Sequence, residues 1–538
     1  MKKEENQIPQ WMKAKGYLHI SQSLKISSKW KIYKSRVENP DFISKYAFYP
    51  LLHSSIRERK YKKVDTKKHS NKTDRCHNFK KKDGNFEKTA KTRPLHYAGH
   101  FDALIYGYYA SILNELYDEE LKKDSDLNAS VNAYRKIPIE DETGKGKSTI
   151  HFAKEVFDEI KERSLTNTEV CVLTFDIQSF FSSLDHSLLE KKWANLIGEE
   201  ELPKHHKNVF KSCTDFRYIL KDDLRIITKK NGKRLGFDEK KLSKVRREKG
   251  FKCFFESNEE FRETIKSGKL RIYKNPFFQP REKTKVQVGI PQGLPISAVL
   301  ANLYLLDFDK KIVEYLVRKH NGFYRRYSDD IIVVCKNDKV EEIKQFVENL
   351  IIESKLEISK SKTEQFIFKQ HIFNNVGDKR LTSIKIVNSV EKIGSPLIYL
   401  GFEFRGYSVC IKSTNLAKFY RRLISIVKRR ARRVRNNKNP HIPKAIFKNQ
   451  IKKLYKKPLR DLDGENNDIK QSLRNKIYLF ENQKGEFSTI IKPSNYQNKS
   501  NYFSYLKRCK KIFGDDIFIR QLRKKDHILN SAIKKHLN

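Results

Sequence analysis

Long apolar runs are missing from this sequence. No window approaches the ~18–20 uninterrupted apolar residues that a membrane-spanning helix needs, so no membrane partner is expected. Metal-binding cysteine spacing is missing too. The seven cysteines (Cys76, Cys171, Cys213, Cys253, Cys335, Cys410, Cys509) are scattered, with no C-x-x-C pair. Their odd count fits a reduced protein, expected in the cytoplasm, without a zinc cluster. Cys76-His77 lies near His69, but no second cysteine stands at ligand spacing. The opening MKKEENQIPQWMKAKG has charges without a following apolar stretch, so it does not read as a signal peptide. Fixed-period repeats are absent. Negative charge is in short supply: 65 Asp and Glu stand against 113 Lys and Arg, a net charge of +48. The simplest physical meaning is attraction to a polyanion, nucleic acid first. With 38% apolar and 33% charged residues, the chain reads as soluble and highly charged. Its 538 residues suggest three to five structural units at a typical ~100–200 residues each.

Residues 57–93 hold 15 Lys/Arg in 37 positions and almost no large aliphatics. They read as a solvated or nucleic-acid-bound loop, with a disordered linker as the bland alternative. Order is expected from about Leu95. Leu104, Tyr108, Ile112 and Leu116 recur at helical spacing. Ser148 or Thr149 is placed to cap a helix that begins IHFAKEV. EVCVLTFDI (169–177) is a strand-length apolar run ending on one acid. Residues 199–288 are basic and weakly periodic and read as an insertion or extended connection. VGIPQGLPISAVLANLYLLDFDKKIVEYLVRKH should run from a loop into one long helix. GFYRRYSDDIIVVC places an acidic turn between apolar flanks, and LIYLGFEFRGYSVCIK (397–412) alternates like a hairpin. From 411 to 460 there are 18 Lys/Arg and no acid. An apolar stripe there (Leu416, Tyr420, Leu423, Val427, Val434), crowded by arginines, predicts an amphipathic helix with a basic face. The remainder, to 538, reads as helical and polar.

Three acids carry the chemistry. Asp176 ends the apolar strand, and Asp329 and Asp330 sit side by side in the turn. Carboxylates in such places are costly unless a cation lies between them. Facing strand-end acids can hold Mg²⁺ through few side chains and leave room for phosphate oxygens. Two such ions clamp the attacking and leaving oxygens of an in-line phosphoryl transfer. For an isolated Asp-Asp, a plain hairpin turn is the competing explanation.

The flanking text favours the chemistry. FDIQSFFSSLDH (175–186), GIPQGLPISAVLANLYL (289–305), YSDDIIVV (327–334), SKSKTEQF (359–366) and YLGFEF (399–404) occur in this order. The series resembles the palm motifs of reverse transcriptases over about 95–435, most densely from 169 to 405. The resemblance implies an α/β right-hand polymerase of fingers, palm and thumb, with a small antiparallel palm sheet and a helical C-terminal region. It implies an RNA template, dNTPs, a DNA product and two Mg²⁺ ions, with Mn²⁺ as a substitute. Asp176, Asp329 and Asp330 match the metal-binding acids, with the Ile177 carbonyl as a further ligand. Phe181 matches the aromatic residue under the incoming sugar, where bulk disfavours a 2′-hydroxyl; one of Phe180 and Phe181 is expected in the core. Gln292 and Gly293 match the loop beside the incoming nucleotide, and Lys362 the lysine of the fourth motif. Ser297 and Asn302 begin a helix that also packs the palm. Tyr327 belongs to the aspartate turn and is expected at the primer end. Arg135 and Lys136 fall where the fingers supply cations for the triphosphate, with Lys145 and Lys147 as rivals. Leu400 and Gly401 match the primer-grip turn. The basic helix, including Arg421, Arg422, Arg429 and Arg433, stands where a thumb follows the duplex by neutralising phosphates.

The expected organisation is a basic extension over 1–94, fingers over 95–168, and a palm over 169–396 containing the 199–288 insertion. Primer grip and early thumb follow over 397–435, with a basic helical region over 436–538. No zinc or HNH-type cluster follows the thumb, which disfavours an intron-type enzyme, and no V-T-G triplet marks a retron enzyme. No ribonuclease H-like acid set or integrase follows residue 435. The block ALIYGYYASILNELYDEELKK…VNAYRKI looks like bacterial defence-associated enzymes of the abortive-infection and unknown-group lineages, nearest those encoded beside a second reverse transcriptase. That likeness implies antiphage defence and a non-coding RNA template, with a second copy or a second reverse transcriptase as partner. Two other readings stay open: a catalytically idle nucleic-acid scaffold, and template-independent or protein-primed DNA synthesis by the same palm.

Overall fold

The computed structural model describes residues 7–58, 62–70, 75–76, 78–88, 90–140, 142–166, 169–226, 236–281, 284–359, 362–373, 378–437, 446, 448–452, 454–455, 474–481, 487–494 and 501–537. They form two compact units, Met1–Arg135 with Leu173–Thr363, and Lys136–Val172 with Glu364–Asn538. No helix among the described residues is long and apolar enough to cross a membrane.

In the first unit, the basic stretch expected as loop or linker includes strands among its described residues. Leu51–Glu58 pairs antiparallel with Lys91–Tyr97, from Leu52 opposite Tyr97 to Glu58 opposite Lys91. Asn78–Lys80 pairs with Phe86–Lys88. A ladder satisfies the backbone while long basic side chains stay in water, so charge alone does not exclude a strand. His69 stacks on Phe79 with ring centroids 4.4 Å apart, a packing contact. Among the described residues no group of three or more His, Cys, Asp or Glu is arranged to hold a metal ion.

The 199–288 segment is also ordered where described. It contributes helices Lys204–Thr214, Glu239–Lys249 and Asn258–Lys266. Asp238 and Ser257 cap the last two by accepting the Lys241 and Glu260 N–H groups. Strand Arg217–Leu220 lies parallel to Leu51–Glu58, with Leu52 opposite Ile219. The result is a four-stranded sheet in the order Tyr273–Lys274, Arg217–Leu220, Leu51–Glu58, Lys91–Tyr97. One core joins Ile20 and Leu52 of the N-terminal region to Ile219, Val245, Phe254 and Phe261 of the segment. Its weak periodicity has a physical cause: short elements each supply one or two apolar residues to a core completed from far away in sequence.

Helix Asp102–Lys122 forms as expected, but its most buried line runs through Ile105, Tyr109, Leu113, Tyr117 and Leu121. Tyr108, Ile112 and Leu116 flank it, half-buried. The long helix expected after the PQG loop is interrupted. Ser297–Tyr304 ends at Leu305 (φ −97°, ψ 10°), Leu306–Ile312 follows, and Val313–Lys319 is wound as a π-helix.

In the second unit, strands Glu364–Phe373, Asp378–Val387 and Val390–Ile393 form an antiparallel run. Leu397–Tyr399, Phe402–Phe404 and Val409–Ile411 make a three-stranded antiparallel sheet. Phenylalanines from distant elements meet there. Phe404 stacks on Phe157 of helix Thr149–Thr166 at 4.6 Å and on Phe368 at 5.2 Å. Helix Ser413–Arg435 buries Phe419, Leu423, Val427 and Ala431 and lies against helix Lys525–Leu537. The expected stripe is therefore shifted: Leu416, Tyr420 and Val434 are its half-buried margins. The C-terminal part, expected as helical, includes an antiparallel hairpin of Arg474–Glu481 with Phe487–Ser494. Residues 438–445 and 456–473 lie outside the described residues.

Because the N-terminal region and the 199–288 segment share one core, a single deletion in it should be felt by the whole unit. Ile219→Ala should lower unfolding free energy by about 2–5 kcal/mol, read as a lower urea midpoint.

Candidate active site

Strand Val170–Asp176 carries its acid on its last residue, and the chain there is pinned on two sides within the first unit. The Ile177 N–H donates to the Asp329 carbonyl at 3.3 Å. The Asp176 carbonyl accepts the Ser359 N–H, and Gln178 N–H donates to Glu357, both at 2.8 Å. These bonds bring the strand end, the aspartate hairpin and the segment before Lys362 to one place. Strands Phe323–Tyr327 and Asp330–Lys336 pair with Tyr327 opposite Asp330, so Ser328 and Asp329 form a two-residue turn. Ser328 sits there at φ +61°.

The charged groups gathered here act on one another. Burial raises the Asp329 carboxyl above the usual carboxylate range, and the charge of Asp176 raises it further. The Lys362 ammonium is ion-paired with Asp176. A cation thus already answers part of the negative charge. Asp330 is exposed, and no three-carboxylate cluster forms among the described residues. The donor set therefore fits a divalent cation held by Asp176 and Asp329, with remaining ligands from water or substrate phosphate, as suits Mg²⁺. The Ile177 side chain is buried.

A buried ion pair under the turn was not anticipated from sequence. The Arg326 guanidinium donates to both Asp309 carboxylate oxygens, its Nε at 2.7 Å and Nη2 at 2.5 Å, and both side chains are fully buried. Tyr324 donates its hydroxyl to Asp309 at 2.6 Å. Arg326 also reaches Asn302 Oδ1 at 3.2 Å and the Ser328 carbonyl at 3.3 Å, gripping the turn from below. The Asn302 amide donates to the Ala133 carbonyl at 2.9 Å, and Asn132 N–H donates to Arg326 O at 3.0 Å. Tyr134, at φ +64°, places its hydroxyl 3.3 Å from Ser328 Oγ. The signal in sequence was two acids, Asp307 and Asp309, inside the run LYLLDFDKKI and an arginine two residues before the turn. Neither says that Arg326 meets Asp309.

The loop around Gln292 is held from two sides. Ser297 donates its hydroxyl to the Pro291 carbonyl at 2.6 Å, and the His96 N–H donates to the Gln292 carbonyl at 2.9 Å. Gly293 is at φ +118°, and a Cβ there would stand 2.8 Å from the His96 oxygen, so glycine is required for this approach. Phe181 accepts the Ile290 N–H on its carbonyl at 2.7 Å, joining its helical turn Phe180–Ser183 to the same loop. Phe180 is buried and Phe181 half-buried. Tyr327 is half-buried, and burial raises its hydroxyl pKa, with Tyr134 and Asp330 adding to the effect.

Arg135 departs from expectation. Its guanidinium pairs with Asp118 at 2.6 Å and donates to the Asn128 and Val131 carbonyls and to Asn128 Oδ1. The side chain is 6% exposed, so it braces its own neighbourhood rather than presenting charge to a triphosphate. Lys136 and Lys145 are exposed, and Lys147 pairs with Glu155 at 2.7 Å; all three belong to the second unit. In that unit Leu400 (φ +44°) and Gly401 (φ +92°) make the tight turn between strands Leu397–Tyr399 and Phe402–Phe404. The Gly401 carbonyl accepts the Lys412 N–H at 2.9 Å, tying the turn to the start of the basic helix. Arg421, Arg422, Arg429 and Arg433 are exposed along that helix.

On a mixed α/β, right-hand polymerase fold, two carboxylates thus meet at neighbouring strand ends, with a lysine ion-paired to one of them. The family model for reverse transcriptase (RNA-dependent DNA polymerase) matches residues 110–404, and the chain belongs to that family. Among solved structures, it is similar to apo telomerase from Candida tropicalis truncated from its C-terminal domain. That match has 11% identity and a TM-score of 0.35, and covers 60% of this chain and 53% of the other. Telomerase from Candida albicans in complex with a fragment of telomeric RNA gives 11% identity and a TM-score of 0.34, covering 75% and 54%. The chain thus spans about half the length of the telomerase chains it matches. A comparison with curated proteins finds no match.

Breaking the buried pair should be severe. Asp309→Asn leaves a buried guanidinium short of its counter-charge and should cost about 3–5 kcal/mol, measured by chemical denaturation. Replacing both partners by apolar residues, Asp309→Leu with Arg326→Met, should recover most of that loss.

Proposed function

We propose that this protein is an RNA-directed DNA polymerase that adds dNTPs to a primer by two-metal phosphoryl transfer. The observation that carries the reading is the convergence of Asp176 and Asp329 at adjoining chain ends, with the Lys362 ammonium on Asp176. In this reading the primer 3′-hydroxyl attacks the α-phosphate of the dNTP and pyrophosphate leaves. Two divalent cations, Mg²⁺ or Mn²⁺ in its place, would be held by these carboxylates and would stabilise the charge on the attacking and leaving oxygens. Asp176 and Asp329 hold the cations, with Asp330 and the Ile177 carbonyl beside them. Lys362, displaced from Asp176, neutralises the pyrophosphate. Gln292 and Gly293 line the nucleotide, Phe181 underlies its sugar, and Tyr327 meets the primer end. Leu400 and Gly401 grip the primer, and the basic helix tracks the duplex backbone.

The finer assignment rests on the block ALIYGYYASILNELYDEELKK…VNAYRKI. It supports a bacterial, cytoplasmic enzyme of antiphage defence that copies a non-coding RNA and works with a second copy or a second reverse transcriptase. Sequencing the RNA bound to the purified protein, and the DNA made from it, tests this: random cellular RNA in place of one dominant species contradicts it.

Asp176→Ala and Asp329→Ala should each reduce Mg²⁺-dependent dNTP incorporation by several orders of magnitude, to roughly the background, while circular dichroism stays that of the native protein. Near-full incorporation by either variant removes the assignment. Phe181→Ala should raise the rNTP/dNTP ratio of kcat/KM, since the obstruction to a 2′-hydroxyl is gone; an unchanged ratio in an active variant takes Phe181 out of that role. Replacing Arg421, Arg422, Arg429 and Arg433 by Gln should weaken binding equally for unrelated sequences. It should also flatten the slope of log K against log salt by about 0.7–0.9 per lost phosphate contact. An unaltered slope would mean that the basic face meets only solvent.

A further inference from the structure

The four-stranded sheet of the first unit has one face in the core, through Leu52 and Ile219. Side chains alternate along a strand, so their neighbours in sequence, His53 and Tyr218, lie on the other face. The register places His96 opposite His53 and Tyr273 opposite Tyr218. These four rings form a row. Tyr273 and Tyr218 stack with centroids 5.4 Å apart and planes 20° apart. His53 follows at 5.2 Å from Tyr218, and His96 at 4.8 Å from His53. The Arg271 guanidinium lies 5.2 Å above the Tyr273 ring. Tyr273, Tyr218 and His53 are half-buried; Arg271 is exposed, as is Arg57 farther along the His53 strand. His96 is buried, and its main chain holds the Gln292 carbonyl. The row therefore starts at the outer strand and ends at the nucleotide loop. Two of its four strands, 51–58 and 91–97, lie outside residues 110–404, so the row is not contained in the matched family region.

Aromatic rings in file on a sheet, half-open to solvent and flanked by arginine, suit one ligand class. Unpaired bases stack on such rings whatever their sequence, with guanidinium planes adding cation–π contact. A duplex keeps its base faces inside its own stack. We propose that this face binds a single-stranded nucleic acid and leads it to or from the loop at Gln292. Its identification as the unpaired template rests on the polymerase reading; the stacking site does not.

The test uses the full chain without dNTP or metal. Fluorescence anisotropy is read with a single-stranded oligoribonucleotide, the oligodeoxyribonucleotide of the same sequence, and a blunt duplex. Tyr218→Ala with Tyr273→Ala should weaken single-strand binding at least about tenfold and leave duplex binding as it was. Tyr218→Phe with Tyr273→Phe should bind as the native protein does. A loss with RNA, DNA or both supports the site and says which strand it takes. Unchanged single-strand affinity in a folded alanine variant, or an equal loss for the duplex, overturns it. Should the double variant unfold, Tyr273→Leu, on the outer strand, and Arg271→Gln decide by the same criteria. A protein that binds in this tyrosine-dependent way but incorporates no dNTP would overturn the polymerase reading alone; the converse would overturn only the stacking site.

Discussion

Two carboxylates in one half-buried place repel each other, and several contacts of the first unit hold the chain at Asp176 and Asp329 in spite of that. Main-chain hydrogen bonds from Ile177 to Asp329 and from Ser359 to Asp176 impose the approach. Lys362 offsets part of the charge. Below the turn, a fully buried Arg326–Asp309 pair holds the Ser328 carbonyl, and Ser328 takes the left-handed backbone that the turn needs. Burying that pair brings no large net stabilisation by itself, because desolvation offsets the attraction. Its value lies in direction: the guanidinium fork reaches Asp309, Asn302 and the turn at once and permits one arrangement of them.

The parts that sequence left without a purpose are drawn into the same problem. The N-terminal region and the 199–288 segment close one core and build one sheet. The edge strand of that sheet carries the N–H that holds Gln292, and Gly293 lets the two chains approach. The sheet is thus a wall of the loop that carries Gln292. The second unit has its own device at Leu400 and Gly401, where the tight turn is fastened to the first residue before the basic helix.

Local chemistry was legible wherever a residue's role depends on its immediate neighbours. The apolar run ending in Asp176 had to be a strand, YSDD had to turn, and an acid-free stretch with an apolar stripe had to be an amphipathic helix with its arginines in water. Glycine at 293 was readable as a place of close backbone approach, since it carries no side chain to obstruct it. Which face of a helix is most buried was less so. In Asp102–Lys122 the apolar sector is wide enough to admit either Tyr108 or Tyr109 as its centre, and packing chose Tyr109.

What the sequence determined by itself was therefore the class of chemistry and the order of its motifs, since strand ends, turns and charge are set within a few residues. Only the tertiary structure decided the rest. Arg135 was spent on Asp118 and two carbonyls because they fold around it. Within the basic stretch after residue 57, the described strands Asn78–Lys80 and Phe86–Lys88 formed by pairing with each other, and Lys91–Tyr97 by pairing back onto Leu51–Glu58. Arg326 found Asp309, and His53, His96, Tyr218 and Tyr273 came into file, because strands distant in sequence became neighbours. Such meetings depend on long-range closure of the chain, and no local pattern of residues encodes them.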